Sequence, residues 1–148
     1  MNHAQHLRWV AILTCLAGCV SVEDRQLINV PLAPNPYNAG QIGQATLAAD
    51  GNETSMSIFI SGVPSETTRP VHIYTFIYTG NCKQRMGAAP AYALNQRVLA
   101  EKVDAKRGWT LSRRVPAELE ALRTGTYSIV LRTGPADGNR EIFCGEIG

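Results

Sequence analysis

The feature that most constrains the fold is a regular alternation of apolar and polar side chains over residues 54–63. The apolar positions on one side of the alternation are Met56, Ile58 and Ile60, and three serines at 55, 57 and 61 fall on the other side. A period of two is typical of a β-strand with one buried face. Residues 50–52, Asp-Gly-Asn, are a strong turn signal that joins this strand to another over residues 41–49. These residues predict an antiparallel hairpin whose apolar face lies in a core.

Short segments of strand composition recur along the rest of the chain. Residues 71–79 are rich in β-branched and aromatic side chains, which favours a strand. Further strands are predicted at residues 109–113, 126–133 and 140–147. Short strands separated by glycine and proline turns indicate an all-β sandwich or barrel. We therefore predict one domain over residues 27–148, a sandwich or barrel of about seven or eight antiparallel strands.

Helical structure is expected only in the connections between the strands. Residues 116–122 predict one or two helical turns, because Pro116 suits the first turn of a helix and Gly125 suits its end. Residues 90–102 hold many helix-forming side chains after Pro90, within a long connection. A helix and an irregular loop remain alternatives for that segment.

Charge and composition exclude several classes of function. The 148 residues include 14 Lys and Arg against 12 Asp and Glu, and the basic residues are scattered, so we expect no nucleic-acid partner. The apolar content of 45% is too high for a disordered chain. Arg113 and Arg114 are interpreted as a solvated strand end, and contact with an acidic partner is the alternative.

The N-terminal residues predict export and lipidation. Arg8 precedes the apolar stretch 9–16, which is the order of a secretory signal. Leu16-Ala17-Gly18-Cys19 resembles the bacterial lipobox, in which the cysteine is lipidated and becomes the first residue of the mature chain. This resemblance implies a signal peptide at 1–18, a lipid on Cys19 and a tether at 19–26. An ordinary secretory signal and a buried N-terminal helix are the alternatives.

The expected location follows from the lipidated cysteine and its neighbour. Two or three acyl chains give stable anchoring, whereas one chain alone is marginal. By resemblance to the sorting rules of Gram-negative bacteria, Val20 after Cys19 favours the outer membrane. We therefore expect a membrane contact through the lipid anchor, at the periplasmic face of the outer membrane.

The remaining cysteines predict a disulfide. Once Cys15 is removed with the signal peptide and Cys19 is lipidated, Cys82 and Cys144 are the thiols that remain. Two thiols in an oxidising compartment are most simply joined to each other. We therefore expect one disulfide between Cys82 and Cys144.

Three segments resemble the sandwich that copper–zinc superoxide dismutases share with chordin-type CHRD domains. They are residues 43–64, 69–82 and 122–148. The dismutases end in Cys-Gly-x-Ile-Gly, and the present chain ends in a similar sequence that contains Cys144. In that family this cysteine pairs with one in the loop where Cys82 lies here. The resemblance implies the same Greek-key sandwich and the same disulfide.

The metal ligands of that family are not matched. A copper–zinc site needs several imidazoles, but His72 is the one histidine of the expected mature chain. Tyr74 stands at the second histidine position of that strand, and Arg132 stands at a ligand position of the third segment. A guanidinium cannot be deprotonated, so Arg132 cannot ligate a metal ion, and its positive charge repels one. We expect no metal, no cofactor and no catalytic residue.

A binding surface is expected on the strand that contains His72. The resemblance implies that His72 and Tyr74 point outward and that Ile73 points into the core. The period of two then adds further rings to the outward side. We call this set, together with an arginine on the neighbouring strand, the ring face: His72, Tyr74, Phe76, Tyr78 and Arg132. Exposed rings in such numbers are typical of interaction sites. Burial of the stripe beneath the connection at 80–108, as a second small core, is the alternative.

These observations predict a non-catalytic lipoprotein that binds another protein of the cell envelope. A periplasmic inhibitor or immunity-type protein would have the same anchor, size and lack of catalytic residues, and it is the first alternative. A degenerate metalloprotein retained for copper handling is the second alternative.

Overall fold

Antiparallel strands make up nearly all of the regular structure. The computed structural model describes residues 26–87, 89–104 and 108–148, so the expected signal peptide and Cys19 lie outside the described residues. The strands are β1 (Leu27–Pro34), β2 (Gly43–Asp50), β3 (Glu53–Ile60), β4 (Ile73–Thr79), β5 (Tyr92–Ala93), β6 (Glu101–Asp104), β7 (Gly108–Val115), β8 (Tyr127–Thr133) and β9 (Glu141–Ile147). The predicted all-β fold is confirmed, with nine strands in the order β5-β4-β8-β9-β1-β2-β3-β7-β6.

Strand β1 joins the two halves of the sandwich. Its residues Leu27 to Leu32 pair with β2, whereas Ala33 and Pro34 pair with β9. Prolines lack an N–H group and are found where ladder pairing ends or bends, and β1 contains Pro31 beside this change of partner. β1 therefore belongs both to sheet A, with β2, β3, β7 and β6, and to sheet B, with β9, β8, β4 and β5.

Residues 92–104 cover the opposite side of the sandwich. The N–H of Leu94 donates to Thr75 O at 2.9 Å, and the N–H of Ala100 donates to Val71 O at 2.9 Å. Residues beyond Ala100 form β6 and pair with β7. The chain thus passes from the edge of sheet B to the edge of sheet A, which gives a Greek-key order. The helix considered for residues 90–102 does not form, because backbone groups of this segment bond to β4 and to Val71 just before it.

The core lies between the two sheets. The alternation predicted for β3 is confirmed, since Met56, Ile58 and Ile60 are at most 2% exposed while Ser57 is exposed. The largest fully buried side chains are Phe143, Leu47, Met56, Ile58, Ile60 and Ile73. Burying each such side chain contributes about 1.5–3 kcal/mol. The expectation that Ile73 points inward is also confirmed.

The remaining helical structure is short. Helix α1 (Leu119–Thr124) begins after an uncapped Glu118, so Pro116 precedes the helix rather than opening it. Leu119 and Leu122 bury its apolar side against the core. Two 3-10 turns, Pro36–Asn38 and Pro135–Asp137, connect the strands at the ends of the sandwich.

Candidate binding surfaces

The predicted disulfide is confirmed on the outer face of sheet B. Cys82 and Cys144 are bonded, with 5.9 Å between their Cα atoms and a sequence separation of 62. The bond ties the loop after β4 to the middle of β9. The N–H of Cys82 also donates to Glu146 Oε1 at 3.3 Å. The loop is therefore held against sheet B at two neighbouring points.

This loop covers one end of the ring face. Tyr78 is 8% exposed and forms a second apolar cluster with Val130 and Cys144, against which Phe76 packs. The guanidinium of Arg85 lies 5.2 Å from the centre of the Tyr78 ring, in cation–π contact. Tyr78 and the half-buried Phe76 thus belong to a small core rather than to an open surface. The physical reason is the disulfide, which brings the loop back over them.

The other end of the ring face is open. His72 is exposed, and Tyr74 is half-buried beside Arg132, its partner across β4 and β8. We call His72, Tyr74 and Arg132 the His72 corner. Arg132 Nη2 lies 3.8 Å from Glu141 Oε2, and Arg85 Nη2 lies 2.7 Å from Glu141 Oε1. Glu141 therefore shares its charge between two arginines, Arg132 of the corner and Arg85 of the loop after β4.

A carboxylate borders the His72 corner. Asp137 accepts a hydrogen bond from the Thr68 hydroxyl and another from the Thr68 N–H at 2.9 Å. The side-chain hydrogen bond from Thr68 is the main reason that the pKa of Asp137 is lowered, and the backbone bond is the next. The nearby charges of His72 and Arg69 lower this pKa a little further. These bonds fix the loop before β4 to the turn Pro135–Asp137.

Arg113 contradicts the interpretation of Arg113-Arg114 as a solvated strand end. Arg113 is 7% exposed, and its side chain crosses the interior from β7 to β4. Nε donates to Thr75 Oγ1 at 3.1 Å, and Nη2 donates to Ile73 O at 3.0 Å. Arg114 does point outward, where it pairs with Glu53 at 3.0 Å. Sequence reasoning missed Arg113, although alternation along β7 places it in phase with Leu111.

The charge of Arg113 has no acidic partner among the described residues, because none of their carboxylates lies within 4.0 Å of its guanidinium. Burial is the main cause that lowers the pKa of Arg113, and the charge of Arg97 is the second. An arginine nevertheless stays protonated in proteins. Among the described side chains, the buried guanidinium of Arg113 therefore has no counter-charge within 4.0 Å.

An open groove of about 720 Å³ runs beside the disulfide, between β1 and β9. Pro34, Pro36 and Cys144 form much of its apolar lining, and Lys83 and Glu146 stand at its border. The groove adjoins Glu141, so it is continuous with the ionic contacts of the His72 corner. The outer face of sheet B is therefore an uneven surface with both apolar and charged parts.

The described residues contain neither a cluster of metal ligands nor a helix that could span a membrane. Within residues 26–87, 89–104 and 108–148, no three His, Cys, Asp or Glu side chains group closely enough to hold a metal ion. No helix in that part of the chain is long and apolar enough to cross a bilayer. No protein-family model, curated protein or solved structure matches this chain.

Proposed function

We propose that this chain is a lipid-anchored, non-catalytic binding protein of the bacterial cell envelope, held through Cys19 at the periplasmic face of the outer membrane. The observation that carries the proposal is a lipobox cysteine followed, after a short tether, by a disulfide-closed sandwich. Disulfides persist in oxidising compartments such as the periplasm. The Cys82–Cys144 bond therefore supports export of the domain.

The short tether limits where a partner can be reached. Residues 20–26 separate Cys19 from β1. An extended chain spans at most about 3.5 Å per residue, so this tether reaches roughly 25 Å. The domain would thus remain next to the membrane surface, where its partner is another envelope protein.

The His72 corner is the surface that we propose for this partner. Tyrosine and arginine are enriched among the residues that dominate binding energy, and Tyr74 and Arg132 lie opposite each other on β4 and β8. The same two residues occupy ligand positions in the dismutase-like pattern. We propose that the chain shares that scaffold and uses it for binding rather than for copper chemistry.

Site-specific crosslinking in intact cells tests the proposed surface. A photo-crosslinking amino acid replaces the exposed His72, and the adducts are identified by mass spectrometry. We expect one dominant adduct with an envelope protein. The double variant Tyr74→Ala/Arg132→Ala, carrying the same crosslinker, should reduce its yield at least about tenfold, because hot-spot side chains each contribute 2 kcal/mol or more.

A matched control removes one ring and one guanidinium elsewhere. Phe59 is half-buried on β3, and Arg123 is exposed on α1. The Phe59→Ala/Arg123→Ala variant should keep the adduct. If the Tyr74/Arg132 variant is folded and keeps the full yield of the adduct, the His72 corner is not the binding surface.

A further inference from the structure

An open cleft of about 600 Å³ lies beside β7, away from the ring face. One wall is formed by Arg113 and by Arg97 of the connection between β5 and β6. Thr46, Ser57 and Ser112, which occupy paired positions of sheet A, also line the cleft. Two arginines thus line the same cleft.

The charges at the cleft do not cancel. Arg114 is neutralised by Glu53 at 3.0 Å and by Asp50 at 3.6 Å. Arg97 lies 4.0 Å from Glu101, with side chains 76% and 71% exposed, and water and salt weaken such a pair. Arg113 has no carboxylate within 4.0 Å among the described residues. The net positive charge therefore comes from Arg113 and Arg97.

Arg113 is held in place by neutral groups. Its three hydrogen bonds go to Thr75 Oγ1, Ile73 O and Ser112 O, between 2.9 and 3.1 Å. A guanidinium has five N–H donors, so two remain for which the described residues provide no acceptor. A buried charge without a counter-charge is unfavourable, and a bound anion would relieve this cost. The repulsion from Arg97, which lowers the pKa of Arg113, would be relieved as well.

We propose that this cleft binds an oxyanion, the carboxylate or phosphate group of a small ligand, between Arg113 and Arg97. The fork of a guanidinium matches both kinds of group in a bidentate manner. The open volume of the cleft leaves space for the uncharged part of the ligand. This site is independent of the proposed function, since it lies on a different part of the sandwich.

Thermal unfolding of the purified protein with defined anions tests the site. Sodium phosphate and sodium succinate are titrated up to 50 mM, and sodium chloride at equal ionic strength is the reference. We expect phosphate, succinate or both to raise the Tm in a saturable manner beyond chloride, because a ligand that binds only the folded state stabilises it. The anion with the larger shift identifies the ligand group as phosphate or carboxylate.

Two variants locate the binding site. Arg97→Glu changes an exposed side chain, so it should fold normally, and it should abolish the saturable shift. Arg113→Met removes the buried charge and should abolish the shift as well. Arg140→Ala, which removes an arginine outside the cleft, should keep it. The proposal is overturned if neither anion exceeds chloride, or if the Arg97→Glu variant keeps the wild-type shift.

Discussion

The hydroxyl of Thr75 accepts a hydrogen bond from Arg113, whose side chain crosses the interior of the sandwich. Its side chain is fully buried on β4, and its Oγ1 lies 3.1 Å from Arg113 Nε. Hydrogen bonds to charged groups contribute about 1.5–3 kcal/mol, and a buried donor left without a partner costs a similar amount. The contact between β4 and β7 should therefore depend on this hydroxyl as well as on the bond from Arg113 Nη2 to Ile73 O.

We predict that Thr75→Val lowers the free energy of unfolding by about 1–3 kcal/mol. Valine keeps the shape of the side chain but leaves Nε of Arg113 unpaired. Urea unfolding of the purified protein measures the change. Thr46→Val is the control, because Thr46 bonds to the exposed side chain of Asn29, and its cost should stay below about 0.5 kcal/mol. Equal effects of the two variants would contradict the role assigned to Thr75.

The ionisation of Asp137 makes the stability of the fold depend on pH in the acid range. Thr68 lowers the pKa of the folded carboxyl below its unfolded value, so ionised Asp137 stabilises the fold above an unfolded pKa of about 3.9. This contribution is lost as the pH falls through the folded pKa. We predict that the Tm of Asp137→Asn lies below wild type at pH 7 and that the difference shrinks as the pH falls below about 4. A difference that stays constant from pH 7 to pH 2 would contradict this linkage.

The sequence contained part of this information at the residue scale. The alternation of Leu111, Arg113 and Val115 on β7 was a signal that Arg113 points inward, but two adjacent arginines resemble a solvated pair. Tyr78 was placed correctly on the outer side of β4, yet its burial depends on the loop that the disulfide brings back. The alternation along a strand predicts which face of the sheet a side chain points to. Whether that face is buried depends on residues that are distant in sequence.

At the scale of elements, β1 and β9 approach each other closely at Gly145. A Cβ atom on Gly145 would lie 2.5 Å from Pro31 O and 2.6 Å from Leu32 Cδ2. Real Cβ atoms do not come so close to a backbone oxygen, so the two strands would have to separate. Glycine at this position therefore permits β1 to connect the two sheets.

We predict that Gly145→Ala destabilises the protein by about 1–3 kcal/mol, as overpacking in a core does. Gly134→Ala is the matched control, because its Cβ would lie no closer than 3.7 Å to any neighbour, the nearest being Tyr74. Its Tm should equal that of wild type or exceed it slightly, since alanine restricts the unfolded chain. A Gly145→Ala protein with the wild-type Tm would show that β1 and β9 have room to move apart.

The segment at residues 90–102 shows where local propensity fails. Its helix-forming residues favoured a helix as strongly as a loop, but β4 offers unpaired backbone groups along its edge. Ile73 N donates to Val98 O at 2.7 Å, and Leu94 N donates to Thr75 O at 2.9 Å. Helix propensities amount to less than about 1 kcal/mol per residue, so pairing with a distant strand overrides them. By contrast, β3 was predicted correctly because its pattern already encodes a buried face.

At the scale of the whole molecule, the disulfide closes a loop between β4 and β9. For a separation of 62 residues, the chain-entropy model gives at most about 4 kcal/mol of stabilisation. We predict that Cys82→Ala/Cys144→Ala lowers the free energy of unfolding by about 2–4 kcal/mol. Urea unfolding with and without a reductant measures this loss, and reduced wild type should match the double variant. Unchanged stability in both would contradict a structural role for the bond.

The proposed anchor and the His72 corner together define the proposed function of the whole chain, and the arginine cleft is a separate proposed site. The His72 corner lies on sheet B, whereas the arginine cleft lies beside β7. A lipid on Cys19 would keep both surfaces close to the membrane. Everything in this arrangement depends on the processing of the N-terminus, so lipidation of Cys19 is the central claim.

The intact mass of the protein purified from bacterial membranes tests this claim most directly. We predict a chain that begins at Cys19 and carries the added mass of a diacylglyceryl group and an amide-linked acyl chain. Cys19→Ala should remain an uncleaved precursor without lipid. A mature chain that begins elsewhere, a Cys19 without lipid, or normal processing of Cys19→Ala would contradict the assignment.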